Sequence, residues 1–313
     1  MVSLCGRGFD SLHFHYQFLI RMKTTFFSLI GCVLMGALCL LSCEKPVLDE
    51  ETTGQTEQKL DDCNLVLRVS SFRQVPYTTR ALVDITGYSE RLNYVLYQNG
   101  NKVKSLDQSK TDSDYGQVAF RLTPGTYQVL VIAHSCSSNP TLAHPESIQF
   151  TNSTGFSDTF YYYGDIEVTN EAKTHDITLA RASSLLRFIV NDNLPANVVR
   201  MHFLYTGGSG VLNAVTGYGG DVNSRQERLY RVDGLETPLT LPLYTFLQSD
   251  EATLDVTVTA RDANNNTVVQ RKFTGIPMKR NMITEYSGSF FEQENSFSFK
   301  AETDWGGIIE ETY

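Results

Sequence analysis

The cysteine at position 43 lies in a pattern that fits one specific chemistry. The residues LLSC end at Cys43 and close an almost uninterrupted apolar run from Phe26 to Leu41. Such a run has about the length of the apolar part of an export signal and is short for a membrane span. The pattern is a lipobox, in which small or apolar residues admit the signal peptidase and the cysteine thiol takes a diacylglycerol. We therefore expect a lipoprotein anchored through Cys43, with residues 1–42 as an upstream extension and signal peptide; the alternative is a buried N-terminal helix that ends in an ordinary cysteine.

Two further cysteines, Cys63 and Cys136, could react with each other. In an exported protein they could form a disulfide, which would stabilise the fold by about 4 kcal/mol in the chain-entropy model. The alternative is two separate buried thiols, and spacing alone does not decide between them. A zinc site is less favoured, because His134 and Cys136 would share a strand face but no second Cys or His pair with metal-ligand spacing accompanies them. We expect no metal and no cofactor.

No spacing of nucleophilic, acidic or basic residues matches a catalytic motif. The sequence lacks H-E-x-x-H, G-x-S-x-G and both phosphate-binding glycine patterns, and the stretch YTGGSGVLNAVTGYGG is expected to be a long loop. Asp262, Asn264 and Asn266 alternate as in a calcium loop. However, Thr267 replaces the turn glycine and Phe273 the bidentate glutamate, so a hairpin tip is the better interpretation. We expect no catalytic residue and no enzymatic activity.

The aromatic run Phe160–Tyr163 could form a platform on which sugars stack. Neighbouring residues of a strand point to opposite faces, so at most two of the four side chains share a surface. The other two then pack inside, and any tyrosine hydroxyl among them is expected to be hydrogen-bonded. Core packing is therefore the favoured interpretation.

The charge of the chain excludes one class of partner. The 313 residues carry 26 basic and 35 acidic side chains, a net charge of −9, and Lys and Arg form no cluster along the sequence. Binding of nucleic acid depends on such clusters, so no nucleic acid partner is expected. Residues 43–61 are polar and lack apolar periodicity, and we expect them to form a flexible tether.

Alternating apolar and polar residues predict short β-strands along the rest of the chain. The stretch Asn64–Phe72 is one example, and Asn99-Gly100, Pro124-Gly125 and Asp262–Asn266 predict hairpin turns between others. Helical periodicity is nearly absent outside the signal. The expected fold is all-β, with one β-sandwich domain over 62–181 and a second over 182–313. Their cores are expected to contain Leu65, Leu67, Val69, Val129, Val131, Leu186, Phe188, Val256 and Val258.

Several local patterns, taken in order behind a lipobox, resemble those of one protein family. They are TTRALVDITGYSERLNYVLYQNGNKVK, LTPGTYQVLVIAH, DTFYYYGDIEV, LLRFIV, FLYTGGSGVLNAVTGYG and GIPMKRNMITEYSGSFF, which together run from about Cys63 to Phe291. The chain resembles the fimbrial anchor and minor-subunit lipoproteins of the Bacteroidales type V pili. The resemblance implies two tandem transthyretin-like β-sandwiches, a lipid anchor in the outer membrane, and assembly with other fimbrial subunits by β-strand complementation into a surface fimbrium.

Arg80 marks the point at which two kinds of subunit in such a fimbrium differ. The resemblance implies that polymerising subunits are cut after an arginine in the loop behind their first strand, where Arg80 lies. Cleavage would remove Cys43 and the strand Asn64–Phe72 and leave a groove for a partner's strand. Anchors instead keep their lipid, and a Cys63–Cys136 bond would hold the first strand even after a cut. An exposed loop cation is the simpler interpretation of Arg80.

Three functional hypotheses follow from these residues. The first is a non-enzymatic, lipid-anchored accessory subunit of a surface fimbrium. The second is a polymerising tip or stalk subunit that is activated by cleavage after Arg80. The third is a surface lipoprotein that binds glycans or host or bacterial receptors without polymerising.

Overall fold

The structure is a computed structural model that describes residues 63–73, 85–220, 225–292 and 297–302. These residues form eighteen β-strands and one 3-10 turn, Ile85–Gly87, and they contain no α-helix. The predicted all-β fold is therefore confirmed. Within the same ranges, no helix is long and apolar enough to cross a bilayer. The predicted signal peptide, the tether, Cys43 and Arg80 lie outside the described residues.

The first part of the chain forms eight strands: β1 Leu65–Arg73, β2 Arg91–Gln98, β3 Asn101–Ser109, β4 Gln117–Phe120, β5 Gly125–His134, β6 Ile148–Gln149, β7 Thr159–Val168 and β8 Lys173–Arg181. All except β6 belong to one sheet in the order β3-β2-β5-β7-β8-β1-β4. β7 and β8 pair only at Phe160 with Arg181 and at Tyr161 with Ala180. The sheet therefore folds over at this point, and its two layers enclose the first core.

The second part forms ten strands: β9 Ser184–Val190, β10 Arg200–Thr206, β11 Val211–Asn213, β12 Tyr218–Gly219, β13 Gln226–Arg231, β14 Leu239–Thr245, β15 Glu251–Arg261, β16 Thr267–Lys279, β17 Ile283–Gly288 and β18 Phe297–Glu302. Two sheets, β13-β10-β15-β16 and β14-β9-β17-β18, enclose the second core. The strand plan repeats that of the first sandwich. In each sandwich the first strand pairs antiparallel with one neighbour and parallel with a late strand, β8 or β17.

The strand pattern of the sequence correctly identifies the core. All nine side chains named from alternation are buried, five in the first core and four in the second. The turn at Asn99-Gly100 is also confirmed, because both residues have positive φ and join β2 to β3. The stretch Asp262–Asn266 likewise joins β15 to β16.

The predicted hairpin at Pro124-Gly125 is wrong. β4, before it, pairs with β1, whereas β5, after it, pairs with β2 and β7. The segment therefore carries the chain from one layer of the first sandwich to the other. Alternation on both sides of a turn predicts two strands, but it does not show that the strands pair with each other.

A third core lies between the two sandwiches, and we call this region the seam. Val95 and Tyr97 of β2 and Leu130 and Ile132 of β5 point out of the first sandwich and into the seam. The opposite side is supplied by loop 135–158 and by residues of the second sandwich; its members include Phe150, Phe156, Leu212, Ala214 and Phe246. β6 pairs with β11, and β11 pairs with β12, so a small sheet also crosses the seam.

Residues 57–313 group as one compact unit. β8 ends at Arg181 and β9 begins at Ser184, so the strand plan starts again close to the predicted boundary. The independence of 62–181 and 182–313 as separate folding domains stays a prediction.

Candidate functional site

The first strand, β1, lies in the middle of its layer. It pairs with β8 along its whole length and with β4 over its first half, while Leu65, Leu67 and Val69 enter the core. Asn64 fixes the start of the strand, because its Nδ2 donates to the carbonyls of Leu122 at 2.9 Å and Thr169 at 2.6 Å. The segment that would carry the Cys43 lipid thus enters the fold directly at a central, well-held strand.

Of the two alternatives for Cys63 and Cys136, the structure has the two separate thiols, since both are free and buried. Cys63 precedes β1 at the end of the sandwich where Asn64 bonds Leu122 and Thr169. Cys136 follows β5 at the opposite end, where its thiol lies 3.4 Å from Ser157 Oγ. A ten-residue strand such as β5 spans roughly 30 Å, far beyond the Cα separation of about 7 Å that a disulfide tolerates. Burial raises the pKa of the Cys136 thiol and makes it less reactive.

His134, beside Cys136, belongs to a buried polar chain that sequence reasoning missed. Its Nε2 lies 3.0 Å from Asn93 Oδ1, and its Nδ1 accepts the backbone N–H of Cys136 at 3.1 Å. Asn93 Nδ2 donates to Asp107 Oδ1 at 2.7 Å, so Asn93 Oδ1 must accept from His134. The ring is therefore neutral, with its proton on Nε2. Burial, together with the nearby Arg91 guanidinium, lowers the pKa of His134 to about 4.

A buried ion pair fixes the end of β8, where the two sandwiches meet. The Arg181 side chain is only 2% exposed, and its guanidinium donates to both oxygens of Asp158, with Nη2 and Oδ2 2.8 Å apart. Ser183 Oγ donates to the same carboxylate at 2.9 Å. The guanidinium also lies over the Phe160 ring, 4.6 Å from its centroid. A charged residue at the end of an apolar alternating strand was the only sequence signal for this contact.

The aromatic run Phe160–Tyr163 packs as alternation predicts. Phe160 and Tyr162 contact the first core, whereas Tyr161 and Tyr163 contact the seam. None of the four is an exposed ring. The run therefore joins two cores and offers no flat platform for a sugar.

Side chains close two of the sheet edges at which a partner strand could pair. Gln108 of β3 reaches across the first sandwich, and its Nε2 donates to the Gln117 carbonyl on edge strand β4 at 2.9 Å. Tyr230 of β13 makes the corresponding bond to the Pro242 carbonyl on edge strand β14. Gln226 Nε2 adds a bond of 3.2 Å to the Tyr244 carbonyl. These edges are consequently poor templates for strand addition.

The candidate metal sites do not form among the described residues. No group of three His, Cys, Asp or Glu side chains converges there. Asp262 Oδ1 instead accepts the backbone N–H groups of Asn264 and Asn266, and its other oxygen accepts from Asn266 Nδ2 at 3.0 Å. These bonds lower the pKa of Asp262 and close the predicted hairpin tip.

The glycine-rich stretch after β10 is the largest feature that the sequence did not reveal. It forms β11 and β12 rather than a long loop, and its backbone packs closely against the seam. A Cβ on Gly208 would lie 2.0 Å from Thr245 Oγ1, and one on Gly217 would lie 2.0 Å from the Tyr161 hydroxyl. Glycine is needed here for close approach, not for phosphate binding.

Comparison with known proteins gives one family and several similar structures. Residues 56–312 match the model of DUF6562, described as a family of unknown function. The chain is similar to the structure of a proposed adhesin from Bacteroides ovatus, with 11% identity, a TM-score of 0.46 and coverage of 77% of this chain and 92% of that one. It is also similar to a proposed polysaccharide-binding protein from Bacteroides thetaiotaomicron, with 11% identity, a TM-score of 0.46 and coverage of 80% and 99%. A proposed cell adhesion protein from Parabacteroides distasonis has 12% identity, a TM-score of 0.44 and coverage of 81% and 100%. No curated protein matches the sequence.

Proposed function

The chain belongs to the DUF6562 family of unknown function, and we propose that it is a non-enzymatic, lipid-anchored accessory subunit of an adhesive surface fimbrium. The lipobox at Cys43 and the ordered local patterns of the sequence support this role. The single structural observation that carries it is the place of β1. This strand comes directly after the tether, is central in its layer, and is parallel to β8.

The parallel pairing of β1 and β8 suits a protein that holds tension. The chain enters β1 at the end where Leu65 pairs with Lys173, and it leaves β8 for the second sandwich at Arg181. A pull between a lipid at Cys43 and the second sandwich therefore draws the two strands in opposite directions along their length. All hydrogen bonds between them then resist together in shear, rather than one after another.

A Cys43→Ala variant tests the anchor. We expect it to leave the membrane fraction or to remain unprocessed, and we expect fimbriae to be released from the cells into the medium. The matched control is Cys39→Ala, which removes a thiol from the segment expected to be cleaved off and should leave localisation unchanged. A mature, acylated Cys43→Ala protein would sink the proposal.

The polymerising alternative is separated by the N-terminus of the protein isolated from cells. Because Cys63 and Cys136 are not bonded, only β1 and its hydrogen bonds would hold the lipidated segment after a cut at Arg80. An acylated N-terminus at Cys43, with intact sequence through Arg80, supports the anchor. An N-terminus at Ala81 without β1 replaces it with a polymerising subunit.

A further inference from the structure

The outer face of the sheet β13-β10-β15-β16 carries a row of arginines that the sequence does not show. Arg200 of β10 pairs directly with Arg231 of β13 on one side and with Arg261 of β15 on the other. Directly paired residues of antiparallel strands point to the same face. Their neighbours Met201, Tyr230 and Ala260 point into or against the second core, so the three arginines point outward.

The three positive charges repel one another, and Asp233 offsets only part of this charge. Neighbouring strands lie about 4.8 Å apart, so the three side chains start within roughly 10 Å of one another. Like charges that are paired directly across strands destabilise a sheet. Arg231 pairs with Asp233 and Arg261 donates to the Asn265 carbonyl at 3.1 Å. The guanidinium of Arg200, in the centre, makes no hydrogen bond or ion pair with any described residue, although it helps to lower the pKa of Asp233.

The rest of the face suits a ligand that is both polar and partly apolar. Leu229 is 58% exposed and lies one row from the arginines, beside His202. Gln270 and Lys272 are exposed on the same face of β16. A protein with a net charge of −9 thus presents three guanidinium groups side by side on one face of a sheet.

We propose that this arginine face, defined by Arg200, Arg231 and Arg261, binds an acidic polysaccharide. A guanidinium binds carboxylate or sulfate groups through two parallel hydrogen bonds. Arg200 offers such a fork between two further guanidinium groups, which fits a chain that carries acidic groups at regular intervals, and Leu229 provides an aliphatic contact for a sugar ring. Stacking rings, on which single-stranded nucleic acids depend, are missing from this row. The proposal does not depend on lipidation or on assembly into a fimbrium.

Titration calorimetry on the full chain in neutral detergent tests the proposal. The probes are dextran sulfate, polygalacturonate and neutral dextran, with single-stranded DNA as a polyanion that is not a glycan. We expect one or both acidic glycans to bind, more weakly at higher salt, and neutral dextran not to bind. Equal affinity for the DNA, or no binding of either acidic glycan at 150 mM salt, would overturn the proposal.

Variants locate the binding on the face. Arg200→Gln with Arg231→Gln should weaken binding by about tenfold or more, because each change removes a charge-assisted contact. The matched control is Lys102→Gln with Lys104→Gln, which removes the same charge from exposed strand β3 and should leave the affinity unchanged. Asp233→Asn frees Arg231 and should strengthen binding several-fold without risk to the core. The same loss in both double variants would show attraction to net charge instead of a site, and no gain with Asp233→Asn would contradict a contact of the glycan with Arg231.

Discussion

Arg91 and His134 of the first sandwich occupy the row that Arg200 and Arg261 occupy in the second. In each case the first residue belongs to the second strand of the plan and pairs directly with the other on the neighbouring strand. His134 is fully buried and neutral, with its pKa lowered to about 4. Arg261 instead is partly exposed on the outer face of the second sandwich. One strand plan therefore gives two different outer faces.

Residues further along the two outer faces explain why one face is buried and the other is not. Four residues further along the strands on the same faces, Val95 pairs with Leu130 in the first sandwich. Leu204 pairs with Thr257 at the corresponding place in the second. The first face is apolar and is covered by loop 135–158 and the β11-β12 segment. The second face instead carries mostly polar residues, and among the described residues Gln270, Lys272 and Leu229 are exposed on it. The comparison teaches that the strand plan fixes the inner faces, while the outer faces are free to specialise, one for cohesion and one for contact with a ligand.

The largest expected effect contrasts a buried ion pair with an exposed one. Asp158→Ala would leave Arg181 without its carboxylate at the junction of the sandwiches, and we expect a loss of about 4 kcal/mol in the free energy of unfolding. Asp233→Ala breaks a pair of similar geometry on the outer face, where Arg231 is 82% exposed. This control should not change stability measurably. Denaturant unfolding gives both values, and comparable losses would contradict the distinction between the two sites.

The second prediction compares equivalent positions on the two outer faces. Leu130→Ala removes a fully buried side chain from the seam and should lower the free energy of unfolding by about 3 kcal/mol. Thr257→Ala, at the equivalent position of the second sandwich, should change it by less than about 0.5 kcal/mol. If the two variants are equally stable, the seam does not provide cohesion as the comparison requires.

The third prediction uses the pH dependence of the free energy of unfolding to separate buried His134 from Arg261 at the equivalent position. The folded pKa of His134, about 4, lies below the unfolded value of about 6.5, so the unfolded chain binds this proton first as the pH falls. The stability that the neutral ring contributes is complete above about pH 6.5 and is lost as the pH falls toward 4, by up to about 3 kcal/mol.

His134→Gln should remove this part of the pH dependence in denaturant melts, even if it lowers stability overall. Arg261→Gln, in the equivalent row, should leave the slope between pH 4 and 6.5 unchanged. Carboxylates also titrate in this range, so the quantity that matters is the difference in slope between each variant and the parent chain. An unchanged slope in His134→Gln would contradict the assignment of the neutral ring.

The inner faces could be predicted from the sequence, and the reason is physical. Alternation has the period of the pleat, so Leu67 and Val256 could be assigned to a core without knowledge of their partners. Strand pairing is not encoded in alternation, so alternation wrongly predicts a hairpin at Pro124-Gly125. The bond between Cys63 and Cys136 was undecided for the same reason, since it depends on which ends of the strands meet.

The outer faces could be predicted much less well. Arg200, Arg231 and Arg261 are about thirty residues apart in the sequence and come together only through the register of three strands. The packing of the aromatic run Phe160–Tyr163 follows from the sequence, because alternation alone assigns its side chains to two faces. The sequence predicts a loop at the glycines after β10, because glycine that permits close packing and glycine that permits a loop look alike in a sequence.

The smallest expected effect tests the glycines of the segment that covers the first outer face. Gly217 and Gly234 both have positive φ, +76° and +74°, so alanine at either position should cost about 1 kcal/mol in backbone strain. A Cβ at Gly234 would meet nothing within 4 Å, whereas one at Gly217 would lie 2.0 Å from the Tyr161 hydroxyl across the seam. Gly217→Ala should therefore be less stable than Gly234→Ala by about 1 kcal/mol or more, because Tyr161 must move. Adding Tyr161→Phe removes the hydroxyl and should bring Gly217→Ala back toward the control. If the two glycine variants melt alike, close contact across the seam is not what glycine provides at this position.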